Sequence, residues 1–265
     1  MANAYAFQNS WQHAYQRLRS LEGMADSGSL RHLEATGIGE GWRCLEVGAG
    51  AGSIARWMSE RVGSSGHVLA TDINPRFLEP SDDPPLEVRE HDITADPLPE
   101  EAFDLVHARM VLAHLSDREE VLDRLADALT PGGWLVVEEL DFAPIQAAPE
   151  NPDDCAACFD RMIAAHHAVM EARGFDPYYG RCLLDDLRQL GLADVETEGR
   201  AVVCHGGGNP WALAWRYTCQ QLRDDMIATG LITPAELDLV IAQLDDSEFS
   251  FLSQLIVAAW GRKAT

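Results

Sequence analysis

The sequence predicts an α/β fold: a mostly parallel, doubly wound sheet with helices on both faces. Short apolar strands alternate with helical segments between residues 43 and 140, and a glycine-rich turn, Gly48 to Gly52, joins the first strand to its helix. The chain has 265 residues, 46% hydrophobic and 24% charged, an ordinary balance for a globular protein that buries a large core without staples.

The elements follow in order. Residues 3 to 37 read as N-terminal helices, because Phe7, Trp11, Tyr15, Leu18 and Leu21 recur at spacings of three and four. Arg43 to Val47 is the first strand, and Ser53 opens a helix to about Val62. His67 to Thr71, Leu86 to Glu90 and Phe103 to Ala108 are the next three strands, and a helix runs from about Arg118 to Leu129. Pro131-Gly132-Gly133 stops that helix, and Trp134 to Leu140 is the fifth strand. Pro144 to Pro152 reads as a loop. Asp154 to Gly174 and Cys182 to Gly191 read as helices, Val195 to Cys204 as a strand, Pro210 to Leu244 as helical and Phe251 to Trp260 as a last strand. The expected organisation is one domain over 1–265, with N-terminal helices in 1–37, a ligand-binding half in 40–140 and helical insertions at 145–180 and 209–245. Such insertions over the carboxyl edge of an open sheet either form a lid on a substrate pocket or only thicken the domain.

Acidic residues outnumber basic ones, 43 to 20, for a formal charge of −23. That field repels phosphate backbones and anionic membrane surfaces, so nucleic acid and membrane partners are not expected. No stretch reaches the ~18 apolar residues of a membrane span. Residues 1 to 10 lack a basic segment followed by an apolar run, and six scattered cysteines form no disulfide framework, which points to the cytoplasm.

The chemistry concentrates at the tips of the first three strands. Gly48, Gly50 and Gly52 permit a sharp turn and leave room for a ligand against the main chain. Asp72 lies 20 residues beyond Gly52, the position of a carboxylate that accepts ribose hydroxyls; capping the turn at Asn74 is its structural alternative. Glu46, two residues before the glycines, suits a cationic ligand and repels a pyrophosphate. Asp92 follows the third strand, where a carboxylate takes an exocyclic amine while the next amide donates to a ring nitrogen. The three acids together describe a nucleoside site.

Leu45-Glu46-Val47-Gly48-Ala49-Gly50-Ala51-Gly52-Ser53 resembles the glycine motif of class I S-adenosylmethionine-dependent methyltransferases. Ala70-Thr71-Asp72-Ile73 is similar to the ribose motif of that family and His91-Asp92-Ile93 to its adenine motif. Phe103 to Arg109 and Leu129 to Leu135 resemble its later sheet motifs, and Val257 to Arg262 its final strand. The resemblance covers about 40 to 140 and implies a Rossmann-like sheet of seven strands, the last antiparallel. It implies S-adenosyl-L-methionine as cofactor and a small organic molecule as methyl acceptor. By the same resemblance Gly48, Ala49 and Gly50 line the methionine part, with Glu46 at that end. Asp72 holds the ribose, Ile73 packs on adenine, Asp92 takes the adenine amine and Ile93 supplies a backbone donor. Arg109 lies beside the cofactor. Arg109 to Leu115 resembles small-molecule members of the quinone-biosynthesis type.

Methyl transfer from a sulfonium is an in-line displacement that rests on positioning, with a base where the acceptor holds a proton. His114, just past the fourth strand, is the candidate base; local packing of a helical histidine is the competing reading. His107 reads as buried in the strand, while Glu139 and Asp141 face the pocket or cap the fifth strand. Related metal-dependent enzymes resemble this fold but carry an Asp-Asn pair where this chain reads Glu138-Glu139-Leu140-Asp141, so no catalytic metal is expected. A single Cys155-Ala156-Ala157-Cys158, with His166 and His167, lacks the second pair of a zinc site. Tyr5, Phe7, Trp11, Tyr15, Tyr178, Tyr179, Trp211, Trp215 and Tyr217 fall in the presumed covering helices, as lid core or as a surface for a planar acceptor. Two alternatives are a nicotinamide-dependent oxidoreductase, whose Gly-x-Gly-x-x-Gly spacing the loop does not match, and a cofactor-binding protein that transfers no methyl.

Overall fold

A computed structural model describes residues 6–151 and 153–265; Tyr5 and Pro152 lie outside the described residues. The chain divides into two compact units, one of residues 25–140, 179–199 and 256–265 and the other of residues through Met24, 141–178 and 200–255.

The first unit is built on an eight-stranded sheet. Its strands are β1 (Arg43–Val47), β2 (His67–Asp72), β3 (Ser81–Asp82), β4 (Pro85–Glu90), β5 (Phe103–Arg109), β6 (Leu129–Asp141), β8 (Ala193–Arg200) and β11 (Leu255–Arg262), in the order β3-β4-β2-β1-β5-β6-β11-β8. The two-residue β3 is an antiparallel edge piece on β4. The pairings β4-β2, β2-β1, β1-β5 and β5-β6 are parallel. At the other side Gly132 N donates to Lys263 O at 3.0 Å, so the end of β11 meets the beginning of β6. Thr197 Oγ1 donates to Ala258 O at 2.9 Å, and Gly261 packs on Val195, so β11 also runs against β8. The last strand is therefore antiparallel, as the sequence implied.

Packing explains why these segments are strands and helices. Cys44, Leu45, Val68, Ala70, Leu105, Val106, Val136 and Val137 are almost fully buried, the signature of parallel strands covered on both faces. α2 (Ser53–Val62) lays Ile54, Ala55, Met58 and Val62 on one side of that sheet. α1 (Ala14–Ala35) contributes Leu33, α3 (Arg118–Asp127) contributes Val121, Leu122 and Leu125, and α5 (Leu183–Gln189) contributes Leu183 and Leu187.

The second unit holds α4 (Asp153–Glu171), α6 (Pro210–Gln221), α7 (Arg223–Ala228) and α8 (Pro234–Leu244), with a small sheet β7-β10-β9 of Gln146–Ala147, Ser250–Leu252 and Val203–His205. Phe159 packs against the stacked pair Phe249 and Phe251, with ring centroids 5.6 and 5.4 Å away. α8 starts with a capping box in which Thr233 and Glu236 satisfy each other's backbone amides.

Four sequence expectations are corrected. The N-terminal region holds one described helix, α1, because Phe7 and Trp11 precede its first turn at Ala14. Pro131-Gly132-Gly133 lies inside β6: the pairing of β5 with β6 jumps from Phe103↔Leu129 to Leu105↔Trp134, and Gly132 at φ +81° forms the bulge. Val195 to Cys204 is two strands, β8 and β9, that join different sheets, and Phe251 to Trp260 divides likewise into β10 and β11. The proline-containing stretch after Pro144 is a loop that carries the two-residue β7.

Candidate functional site

The parallel register brings the acidic positions to one edge of the sheet. Val47 pairs with Thr71, Asp72 with Glu90, and Glu46 with His107, so Glu46, Asp72 and Asp92 all stand at or just past the carboxyl ends of the adjacent strands β1, β2 and β4. In a doubly wound sheet this edge is where ligands bind.

The glycine loop is held by main-chain and carboxylate contacts of its own. Gly48, Gly50 and Gly52 have φ of +69°, +59° and +87°. A Cβ at Gly48 would overlap Val111 Cγ2, and one at Gly52 would overlap Leu78 Cδ2. Ala49 N donates to Thr71 O at 3.0 Å, Gly50 N to Asp72 Oδ2 at 2.9 Å and Gly52 N to Ala49 O at 2.8 Å. Three loop amides are thus already engaged within the chain.

Asp72 takes the Asn74 amide on its other oxygen, Oδ1, at 2.8 Å. Burial pushes its carboxyl above the usual range, while the Asn74 and Gly50 amides pull it back. Asp72 thus fills the capping role that was its structural alternative, and each of its oxygens, accepting one amide, keeps a second lone pair. Ile73 beside it is 57% exposed, a large apolar side chain left in solvent at the strand tip. Asp92 folds onto its own turn: Oδ1 accepts from Thr94 N at 3.0 Å and from Thr94 Oγ1 at 2.7 Å. Ile93 is buried, and its carbonyl accepts from Arg124 at 3.0 Å.

Glu46 is 3% exposed and faces β5, where its Oε2 lies 2.6 Å from His107 Nδ1. His107 is fully buried, as the strand pattern indicated. Its Nε2 lies 3.7 Å from Glu138 Oε2. Burial alone would lower the His107 pKa, but the two glutamates outweigh it and hold the ring up to about 9. Glu138 accepts from His32 Nδ1 at 2.8 Å and from Ser29 Oγ. Burial would raise its carboxyl, but His107 first, then His32 and the Arg109 charge, keep it below the usual range. Arg109 is turned towards α1: it donates to Ser29 Oγ at 2.7 Å and to Asp26 Oδ1 at 3.0 Å. Asp26 Oδ1 also accepts from Ser53 Oγ at 3.0 Å, at the first residue of α2.

Glu139 is the next buried carboxylate of β6. Its Oε1 accepts from the amides of Val111, Leu112 and Ala113 at 2.9, 2.6 and 3.3 Å. Burial raises its pKa to about 7 against the pull of those amides. It anchors the 3-10 turn Leu112–His114, which carries the half-buried His114, and it fixes Val111 against Gly48.

The sequence reasoning missed Asp26, Ser29, His32 and Glu138. Helix periodicity reads the first three as ordinary polar positions of α1, since their partners lie about 80 to 110 residues away. Glu138 carried a usable signal, because two successive glutamates interrupt an otherwise apolar strand. In the second unit, Cys155 and Cys158 are free thiols, and among the described residues no group of three or more His, Cys, Asp or Glu side chains could hold a metal ion. His166, His167, Trp215 and Phe175 surround Phe142 with centroids 5.3–6.1 Å away, an aromatic core within that unit.

Residues 45–137 match the family model described as a methyltransferase domain. Over that stretch the sequence matches the class I S-adenosylmethionine-dependent methyltransferase family. Among curated relatives, methyltransferase str2 of Strobilurus tenacellus is 38% identical over 154 residues, covering 57% of this chain and 53% of that protein. The ubiquinone/menaquinone biosynthesis C-methyltransferase UbiE of Laribacter hongkongensis is 33% identical over 119 residues, covering 43% and 48%. The chain spans about half the length of these relatives. Its fold resembles phosphoethanolamine N-methyltransferase 2 of Haemonchus contortus, solved with phosphomonomethylethanolamine and S-adenosylhomocysteine, with a TM-score of 0.60 at 15% identity over 100% of this chain and 61% of that one. It also resembles the YcgJ protein of Bacillus subtilis, with a TM-score of 0.54 at 16% identity over 90% and 99%. Among the described residues no helix is long and apolar enough to cross a membrane.

Proposed function

We propose that the protein binds S-adenosyl-L-methionine at the β1–β2–β4 edge and moves its methyl group to an O, N or C atom of a small organic molecule. The observation that carries this reading is the state of the glycine loop: its Ala49, Gly50 and Gly52 amides donate inside the chain, and the strand-tip charges around it are acidic. A dinucleotide pyrophosphate takes amides at the start of the helix, and a carboxylate directly beside the loop, such as Glu46, repels it. The same carboxylate attracts a cationic adenosine derivative. Arg109, the basic side chain at the end of β5, is already neutralised by Asp26.

The residues fit the cofactor in kind. Gly48, Ala49 and Gly50 would line the methionine part, Glu46 would stand near its ammonium, and Asp72 would accept the ribose hydroxyls. Exposed Ile73 would cover one face of adenine; Asp92 and the Ile93 amide would read its edge. The Arg109 backbone would flank the same crevice. When bound, the cofactor supplies an electrophilic methyl on a sulfonium. The chain's part is to orient that group and exclude water, and His114 would accept a proton from the acceptor where it carries one. Kinship with str2 and UbiE, the latter named for quinone biosynthesis, supports a small-molecule acceptor. Six free cysteines support a reducing, cytoplasmic setting. The test is transfer of isotopically labelled methyl from the cofactor to a panel of phenols, amines and quinone precursors, read by mass spectrometry. One labelled product supports the proposal; cofactor binding with no transfer to any acceptor favours the non-transferring alternative.

A further inference from the structure

We infer that His107 is a positioning residue for the cofactor: its imidazolium fixes the Glu46 carboxylate through Oε2 and leaves Oε1 to take the ammonium group of the methionine moiety. The inference rests on the proposed function and adds a residue that touches neither cofactor nor acceptor. Its ground is a polar chain that closes around the glycine loop. The chain leaves Glu46 before the loop, passes through His107 (2.6 Å) to Glu138 (3.7 Å), then to Ser29, Arg109 (2.7 Å) and Asp26 (3.0 Å), and returns to Ser53 after the loop (3.0 Å). Each member is tied to partners on different elements of the first unit, so Glu46 has one orientation.

His107 is fully buried with a carboxylate towards each ring nitrogen, Glu46 from β1 and Glu138 from β6. Nε2 makes no hydrogen bond at 3.7 Å, but a neutral ring would turn a bare nitrogen to one of these anions, and only the imidazolium presents an N–H to each. Beyond Glu138 stand His32, which stacks on Trp260 at 5.0 Å and lies 3.7 Å from Glu198, and Arg109 with Asp26. With the ring held near 9, the clamp stays charged through neutral pH. Glu46 Oε1 accepts no hydrogen bond among the described residues.

The test compares calorimetric affinities for S-adenosylhomocysteine and for 5′-methylthioadenosine, which lacks the amino-acid end. Loss of a charge-assisted hydrogen bond predicts that His107→Phe and Glu46→Gln weaken S-adenosylhomocysteine ~10- to 100-fold while methylthioadenosine changes by no more than about twofold. His107→Gln, whose amide still donates to Glu46, should recover part of the loss. Equal losses for the two ligands, or no loss for either, overturn the inference. Nitrogen NMR of the His107 ring in the wild-type protein at about pH 7.5 needs no variant to fold: two protonated nitrogens support the clamp, and a neutral ring overturns it. A wild-type protein that binds neither ligand refutes the functional reading itself, and the clamp with it.

Discussion

Gly48→Ala separates backbone strain from steric overlap at the centre of the site. Gly48 holds φ +69°, a region that L side chains enter at a cost of roughly 1–2 kcal/mol. The new methyl would also overlap Val111 Cγ2, an overpacking on the order of 1–3 kcal/mol. Val111 has little freedom to retreat, because Glu139 Oε1 holds its amide at 2.9 Å. We expect Gly48→Ala to destabilise by about 2–5 kcal/mol in urea denaturation. Placed in a Val111→Ala background it should cost only the strain component, about 1–2 kcal/mol. If Gly48→Ala costs the same in both backgrounds, Val111 is not the wall of the loop and the reasoning fails.

Other perturbations test other parts of the account. Asp72→Asn should lower affinity for S-adenosylhomocysteine ~10- to 100-fold by calorimetry, since a charged acceptor for the Gly50 amide and the ribose is lost; an unchanged affinity would remove Asp72 from the site. For Glu139, both states are protonated below about 4.5; between there and about 7 the unfolded chain releases its proton while the folded one keeps it, so stability falls as pH rises. Glu139→Gln should therefore gain up to ~3 kcal/mol relative to wild type between pH 4.5 and pH 7.5, and a pH-independent difference would contradict the buried, raised carboxyl. His114→Ala should lower kcat by roughly 100-fold or more with cofactor affinity unchanged, if the acceptor needs a base; an unaltered kcat returns His114 to a packing role. Thr233→Ala should cost about 1 kcal/mol through the lost capping box of α8, measured as a shift of the urea midpoint.

What the sequence made legible was local. The Gly48–Gly52 turn, the acid after each strand and the burial of His107 follow from spacing and alternation within a few residues, and the register brings them to one edge. What it hid depends on distant pairing. Pro131-Gly132-Gly133 carries the residues of a helix stop, yet pairing with β5 absorbs it as a bulge in β6. Val203–His205 and Ser250–Leu252 are too short to announce a second sheet, and they become strands by pairing with each other and with Gln146–Ala147. Glu138 and Glu139 are adjacent and point to opposite faces of β6, one to His107, His32 and Ser29 and the other to the amides of residues 111–113. No sequence window contains those partners.

The most direct measurement is a pair of calorimetric titrations of the wild-type protein, with S-adenosylhomocysteine and with NADH. A loop whose amides are internally satisfied and whose rim is acidic should bind S-adenosylhomocysteine at micromolar concentration and leave NADH unbound. Binding of NADH with no response to S-adenosylhomocysteine would contradict the account at its root.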